Sequence, residues 1–333
     1  IEDACASGGV ALHQAILAVA SGQFDVVLVG GVEKMTDLPT AEVTNALASA
    51  ADTLFEIPAG FTFPGLYATM ATAYLEKYDA DPDAFARVAI KNHSNGALND
   101  KAQFNQTIQD VIAGKKAKAI KKGIPVPSWE TEMEFMQDPK ANPMIAWPLR
   151  LFDCSPISDG AAALLLVSED LAAKYTQHPI FVAGVGQASD GALAERDSLT
   201  EIASASKAAQ QAYAMAGITP DDIDFAEVHD CFTIAEIIAS EDLGFFPRGE
   251  GWKAALEGQT ARTGLHPINT SGGLKSKGHP VGASGVAQVV EVWKQFHGVA
   301  GDRQLPGELK YALTHNVGGT GQTAVVHIFE KRN

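Results

Sequence analysis

The chain carries the same local order twice, and that constrains its fold more than any other feature. Residues 5–35, CASGGVALHQAILAVASGQFDVVLVGGVEKM, place a small-residue turn before an apolar helix and then a strand ending in Gly-Gly. Residues 279–298, HPVGASGVAQVVEVWKQFHG, followed after a loop by LKYALTHNVGGTG at 309–321, repeat that order. Identity between the copies is low, but shared order at this length indicates two similar halves. The comparison sets Cys5 and His279 at equivalent helix openings. Between the copies, strand and helix alternate. IFVAGVGQAS (180–189) reads as a strand and LTEIASASKAAQQAYAMAGI (199–218) as a helix. IDFAEVHD (223–230) reads as a second strand, and FTIAEIIASEDLGF (232–245) as a helix opening just after Cys231. Such alternation defines an α/β chain.

FDVVLVGG (24–31) and SDGAAALLLVS (158–168) read as buried strands, the first with the unbroken apolar run of a parallel-type strand covered on both faces. Between them the texture changes to Pro, Lys, Asn and aromatic residues, with short amphipathic pieces such as PDAFARVAIKNHSNGALN (82–99). The expected organisation is therefore a first half from 1–36 and 151–177, a lobe at 37–150 inserted into it, and a second half from 178–333. The first half lacks the opening strands and helices of its counterpart, so the native protein is expected to extend upstream of Ile1.

Composition narrows the function. A formal charge of -15 opposes binding to nucleic acid or an anionic membrane, since either would set acidic surface against phosphate. Three cysteines form no disulfide framework and fit a reducing compartment, with the cytoplasm as the default and an organelle matrix as the other choice. No apolar run reaches the roughly 18 uninterrupted residues of a membrane span.

Four blocks could carry chemistry. Cys5 stands where unpaired helix N–H groups favour a thiolate, although a cysteine among small residues is by composition more often a packing residue. His279 is held between Gly278 and Pro280 at a helix start, where a neutral imidazole could take a thiol proton. His229 and Cys231 lie at the C-terminal end of a strand, the edge where open α/β sheets place active sites; a surface cluster is the other reading. In THNVGGTGQTA (314–324), His315 and Asn316 end a strand, and Gly318 and Gly319 either offer backbone N–H groups to an oxyanion or merely turn the chain. Cys154 has no such neighbours and is assigned to the core. The basic run GKKAKAIKK (114–122), with Lys115, Lys116 and Lys118, reads as a solvated face, or as a patch for an anionic cofactor such as coenzyme A.

Together these blocks resemble the thiolase superfamily from Ile1 to about Lys331, least closely in the inserted lobe. DACASGG resembles the nucleophile block, GHPVGASG the histidine block and HNVGG the final glycine block. Most thiolases carry Asn-Glu-Ala-Phe where this chain has HDCF, and a cysteine before the last glycines where this chain has NVGG. Both departures resemble the sterol-carrier-protein-type and archaeal acetoacetyl-CoA branch, in which the HDCF cysteine replaces the missing acid/base cysteine. The resemblance implies an α/β thiolase-like fold: two pseudo-symmetric five-stranded halves layered α/β/α/β/α, plus a loop domain that receives coenzyme A.

It also implies acetyl-CoA C-acetyltransferase or 3-ketoacyl-CoA thiolase activity through an acyl group on Cys5. His279 would be the base for Cys5, and Cys231 the acid/base. His229 would help His279 hold the enolate, and the N–H groups of Cys5 and Gly318 or Gly319 would form the second oxyanion site. Coenzyme A and acyl-CoA are then substrates rather than resident cofactors, no metal is required, and Lys115, Lys116, Lys118 and Ser276 are candidate coenzyme A contacts. A homodimer or dimer of dimers is implied, and a small acyl-CoA-binding protein is a candidate partner. Two competing readings are a non-catalytic subunit or scaffold, and an aldolase acting on sterol side-chain CoA esters. Cys5 argues against the aldolase, which tends to lack that nucleophile.

Overall fold

In the computed structural model, which describes residues 1–332, twenty helices and strands follow one another along the chain. Helix α1 (Ser7–Ala20) follows a short turn at Ala4–Ala6 and leads to strand β1 (Val26–Glu33). Helices α2 (Thr40–Ala48), α3 (Phe63–Tyr78), α4 (Asp83–Gly96), α5 (Ile108–Lys122) and α6 (Glu132–Gln137) come next. A hairpin of β2 (Met144–Ala146) and β3 (Leu149–Arg150) returns the chain to β4 (Gly160–Val167) and the short α7 (Glu169–Ala172). The remainder comprises β5 (Ile180–Ser189), α8 (Ala203–Ala216), β6 (Phe225–Glu227), α9 (Thr233–Asp242), α10 (Gly251–Leu256), α11 (Gly273–Lys277), α12 (Ser284–Phe296), β7 (Tyr311–Gly318) and β8 (Thr323–Lys331).

Two sheets enclose a pair of helices. Strands β1 and β4 pair antiparallel, Val26 opposite Val167 and Glu33 opposite Gly160. The larger sheet has the order β5-β8-β7-β6, antiparallel except for the parallel pair β6 and β7. Ile268 adds a bridge beside Ala226 at its edge. Between the sheets lie α1 and α12, sharing a core of Leu12, Val29, Phe225, Val286, Val292, Phe296 and Phe329. Burying Leu12, which is 1% exposed, contributes about 2 kcal/mol. Helix α8 covers the opposite face of the larger sheet, so this chain shows four of the five expected layers.

Strand β1 departs from expectation. It is antiparallel and covered on one face only: Val29 is 4% exposed, whereas Leu28 and Val32 on the other face are 73% and 74% exposed. An unbroken apolar run cannot distinguish one covered face from two. The two Gly-Gly pairs differ as well, since Gly30 and Gly31 lie inside β1 while Gly318 closes β7. The expected five-stranded halves appear, among the described residues, as sheets of two and four strands.

The chain between β1 and β4 is mostly helical. Helix α5 starts at a capping box, with the Thr107 hydroxyl accepting from Asp110 N–H at 3.0 Å, and stops at Gly123, whose φ of 63° suits glycine. Its lobe core contains Ile108, Ile112, Phe135 and Met136. Helix α3 packs Leu66, Met70 and Tyr74 against Ile234 and Ile238 of α9, which ties this region to the second half beneath the site. Among the described residues, no helix is long and apolar enough to cross a membrane.

Candidate active site

Cys5 and His279 are brought together by the crossing of α1 and α12. The two helix openings meet at glycines: a Cβ on Gly285 would fall on the backbone N of Gly9, and one on Gly8 would lie 3.0 Å from Val286 N. Backbone therefore packs on backbone. The shared Ala-Ser-Gly triplet fixes the register of the repeat, with Ser7 and Ser284 each turning its hydroxyl back onto a carbonyl, of Ala4 and Pro280 respectively. Cys5 lies two residues before its serine and His279 five before its own, so they share a helix opening but not a position.

His229 arrives from the loop after β6. HDC is not a surface cluster: His229, Asp230 and Cys231 are 1%, 0% and 6% exposed. Asp230 anchors the loop, accepting from Leu274 N–H at 2.6 Å and from the Asn92 amide at 2.8 Å. The rings of His229 and His279 stand edge to face with centroids 5.1 Å apart. Ligand atoms of Cys5, His229 and His279 all lie within 4.8 Å of one another, a donor set that could also hold a soft metal ion. Three of the four sequence blocks thus converge at this point.

The fourth block supplies Asn316 and Gly319. Asn316 Nδ2 donates to Cys5 C=O at 2.9 Å, and Oδ1 accepts from Gly9 N–H at 3.0 Å. The N–H groups of Gly319 and of Cys5 itself both point at the Cys5 sulfur. Gly319, with φ 62°, is therefore the residue brought to the thiol; Gly318 instead pairs with Thr323 in the sheet. His315, 1% exposed, has no hydrogen-bond partner among the described residues on either ring nitrogen.

Charge in the site is set by burial. The thiol of Cys5 keeps some exposure, yet desolvation pushes it up to about 12, and the two N–H groups offset this only in part. The expected lowering at a helix opening is thus outweighed. Burial, aided by the Lys277 cation, holds His279 down at about 3. His229 is also held well below the usual histidine range, by burial and then by His279 and His315. Cys231 is pushed well above the usual thiol value by burial and by Cys5. The resting site is two thiols and two neutral imidazoles.

Toward His279, the Ser284 hydroxyl directs its proton at Pro280 C=O, 2.9 Å away, so its oxygen accepts from His279 Nδ1 at 2.7 Å. That leaves the His279 Nε2 lone pair free, as a base for Cys5 requires.

Sequence reasoning missed Tyr67. It is fully buried on α3 and stacked on Phe232 at 4.7 Å. Its hydroxyl donates to Gly319 C=O at 3.1 Å and lies within hydrogen-bond reach of the Cys231 thiol. The available signal was a tyrosine in an apolar helix segment, because a buried phenol needs a partner.

The candidate coenzyme A contacts are not gathered here. Ser276 is fully buried and donates to Phe104 C=O at 2.9 Å, which leaves it no surface for a ligand. On α5, Lys115 lies over the Phe135 ring and Lys116 pairs with Glu130 at 3.3 Å, while Lys118 is exposed. Cys154 is half-buried against the core and donates to Arg150 C=O at 3.4 Å.

Known proteins share both the sequence and the fold. The family model "Thiolase, N-terminal domain" matches residues 1–170, and "Thiolase C-terminal domain-like" matches residues 186–331. An acetyl-CoA acetyltransferase of Methanothermobacter thermautotrophicus is 46% identical over 99% of this chain and 79% of its own length. One from Methanocaldococcus jannaschii is 41% identical over 100% of this chain and 79% of its own. Sterol carrier protein 2 of Bos taurus is 32% identical over 99% of this chain and 58% of its own. Among solved structures, the Ltp2-ChsH2(DUF35) aldolase superposes with a TM-score of 0.76 at 26% identity, covering 98% of this chain and 78% of that one. Human mitochondrial 3-ketoacyl-CoA thiolase, at 17% identity, shares the fold with a TM-score of 0.67, over 100% of this chain and 78% of its own. With both halves matched and its thiol and imidazoles assembled at their junction, this chain belongs to the thiolase family of acyltransferases.

Proposed function

We propose that the chain catalyses acetyl transfer between two acetyl-CoA molecules, and its reversal, through an acetyl group held on Cys5. The observation that carries this reading is the Cys5 thiol itself, with a ring nitrogen of His279 within 4.8 Å, the Nε2 of that ring without a partner among the described residues, and two N–H groups directed at the sulfur. Cys5 attacks the thioester carbonyl while His279 Nε2 takes the thiol proton. The tetrahedral oxyanion accepts from the N–H groups of Cys5 and Gly319, each such donor being worth about 3 to 4 kcal/mol. The carbonyl reforms, and coenzyme A leaves with the proton of Cys231.

The Cys231 thiolate then removes an α-proton from a second acetyl-CoA. The imidazolium of His279 and the ring of His229 face the resulting enolate, whose carbon attacks the acetyl group on Cys5. Collapse of that second tetrahedral adduct releases Cys5, which recovers its proton from His279. All three groups end as they began, so no redox partner or metal is required. An intact nucleophile with both donors favours this cycle over a scaffold or an aldolase. Coenzyme A is bound as substrate, and Lys115 and Lys118 are the candidates of the basic run that are exposed to its phosphates.

Radiolabelled acetyl-CoA tests the first half-reaction. The expected outcome is acid-stable label on the Cys5 peptide of the parent protein and none on Cys5→Ala. Stable labelling of Cys5→Ala refutes the assignment.

A further inference from the structure

We infer that Asn316 is a positioning residue that fixes the tautomer of His229, so that the site's two imidazoles are held in opposite proton arrangements, one a base and the other a donor. This deepens the acyl-transfer reading and rests on it. Two backbone groups beside Asn316 have a hydrogen-bonding sense that cannot change. Gly9 N–H only donates and Cys5 C=O only accepts, so the Asn316 amide is oriented with Oδ1 toward Gly9 at 3.0 Å and Nδ2 toward Cys5 at 2.9 Å. Flipping it would set donor against donor at one end and acceptor against acceptor at the other. The second proton of Nδ2 then faces His229 Nδ1, 3.3 Å away. His229 Nδ1 must accept, and a neutral imidazole with a bare Nδ1 carries its hydrogen on Nε2.

His229 Nε2 is buried and has no partner among the described residues, and the His229 ring belongs to the cluster with Cys5 and His279. A hydrogen there is a preorganised donor waiting for an oxyanion. His279 is the complement: its Nδ1–H is used on Ser284 and its Nε2 is bare. Asn316 thus has work of its own. It saturates both donors of one amide, joins the Cys5 loop to the His229 loop, and decides which His229 nitrogen faces the substrate. The same arrangement disfavours a resident metal, because ligation through Nε2 would require moving that hydrogen onto the nitrogen that Asn316 occupies.

The test has two readouts. Nitrogen-15 NMR of histidine-labelled protein, assigned with His229→Gln, reads the tautomer without turnover and so stands even if the acyl-transfer reading fails. The expected signal for His229 is an Nε2–H imidazole, changing to Nδ1–H in Asn316→Asp, where a carboxylate oxygen replaces the amide donor. The second readout is deuterium incorporation into the methyl group of acetyl-CoA in heavy water. Asn316→Asp should lower this exchange by about 100-fold, the scale of one lost oxyanion donor. Glutamine at 229 offers an amide donor near the Nε2 position whatever its neighbour, so adding Asn316→Asp to His229→Gln should cost far less than Asn316→Asp alone, leaving only the effect of the lost bond to Cys5 C=O. An Nδ1–H signal in the parent protein, or losses that multiply in the double variant, would overturn the inference.

Discussion

Raising the pH tests the charge state of Cys5 directly. The thiol stands at about 12 and His279 at about 3, values about 9 apart. At about 1.36 kcal/mol for each, moving the proton from Cys5 to His279 in the empty site costs at most about 12 kcal/mol, before the attraction between the thiolate and the imidazolium it creates is counted. The signs agree: an acid raised by burial stays protonated below about 12, and a base lowered by burial stays neutral above about 3. The resting pair is therefore thiol and imidazole across the physiological range. A climb of about 12 kcal/mol still permits roughly ten thousand events per second, so thiolate formation can accompany attack without limiting an ordinary enzyme. The assay is iodoacetamide alkylation of Cys5, resolved by peptide mass spectrometry, between about pH 5 and 9. The rate should rise about tenfold per pH unit with no plateau, following the vanishing thiolate fraction. A plateau already reached below about pH 7 would show a preformed thiolate–imidazolium pair and refute the argument that burial outweighs the two N–H donors.

Three other measurements follow from the packing and the buried groups. Gly285→Ala drives a Cβ into Gly9 N and Asn316 Oδ1, so chemical denaturation should show a loss of about 1 to 3 kcal/mol, with acetylation of Cys5 falling as the crossing opens. Tyr67→Phe keeps the stack on Phe232 but removes the hydroxyl beside Cys231; the pH profile of α-proton exchange should move upward, with the rate near neutrality falling about 10-fold or more. His327 is buried and lowered to about 3 from 6.5, so its contribution to stability is lost as pH falls below 6.5. His327→Leu should therefore lose less stability than the parent on acidification, by about 1.4 kcal/mol per pH unit, measured by urea unfolding at two pH values.

The parts of this molecule that were legible in the sequence are those written in local periodicity and small-residue turns. β5 and α9 fall where alternation and apolar runs place them, and the turns before α1 and α12 led directly to Cys5 and His279. What was not legible depends on what packs against what. The apolar run of β1 could not reveal that Leu28 and Val32 face outward. A helix opening beside Cys5 pointed to a lowered thiol, and only the depth of the site reverses that direction. Tyr67 was invisible because its partners, Gly319 and Cys231, lie far along the chain. Ser276 was read from the company it keeps in GGLKSKGHP, but its hydroxyl faces inward to Phe104.

The contact between the openings of α1 and α12 has one further consequence. Where two helices are separated by side chains, their spacing can drift as those side chains change rotamer or mutate. Here Gly8, Gly9 and Gly285 let the peptide groups of the two helices meet, with the Asn316 amide as the side chain packed against them. The spacing of the two helix openings is then set by the thickness of the main chain, a dimension that thermal rotamer exchange does not adjust and that a change such as Gly285→Ala can only widen. Changes of acyl-chain preference in such a site must come from the walls around the pair, because the gauge between the two helix openings can be broken but not finely tuned.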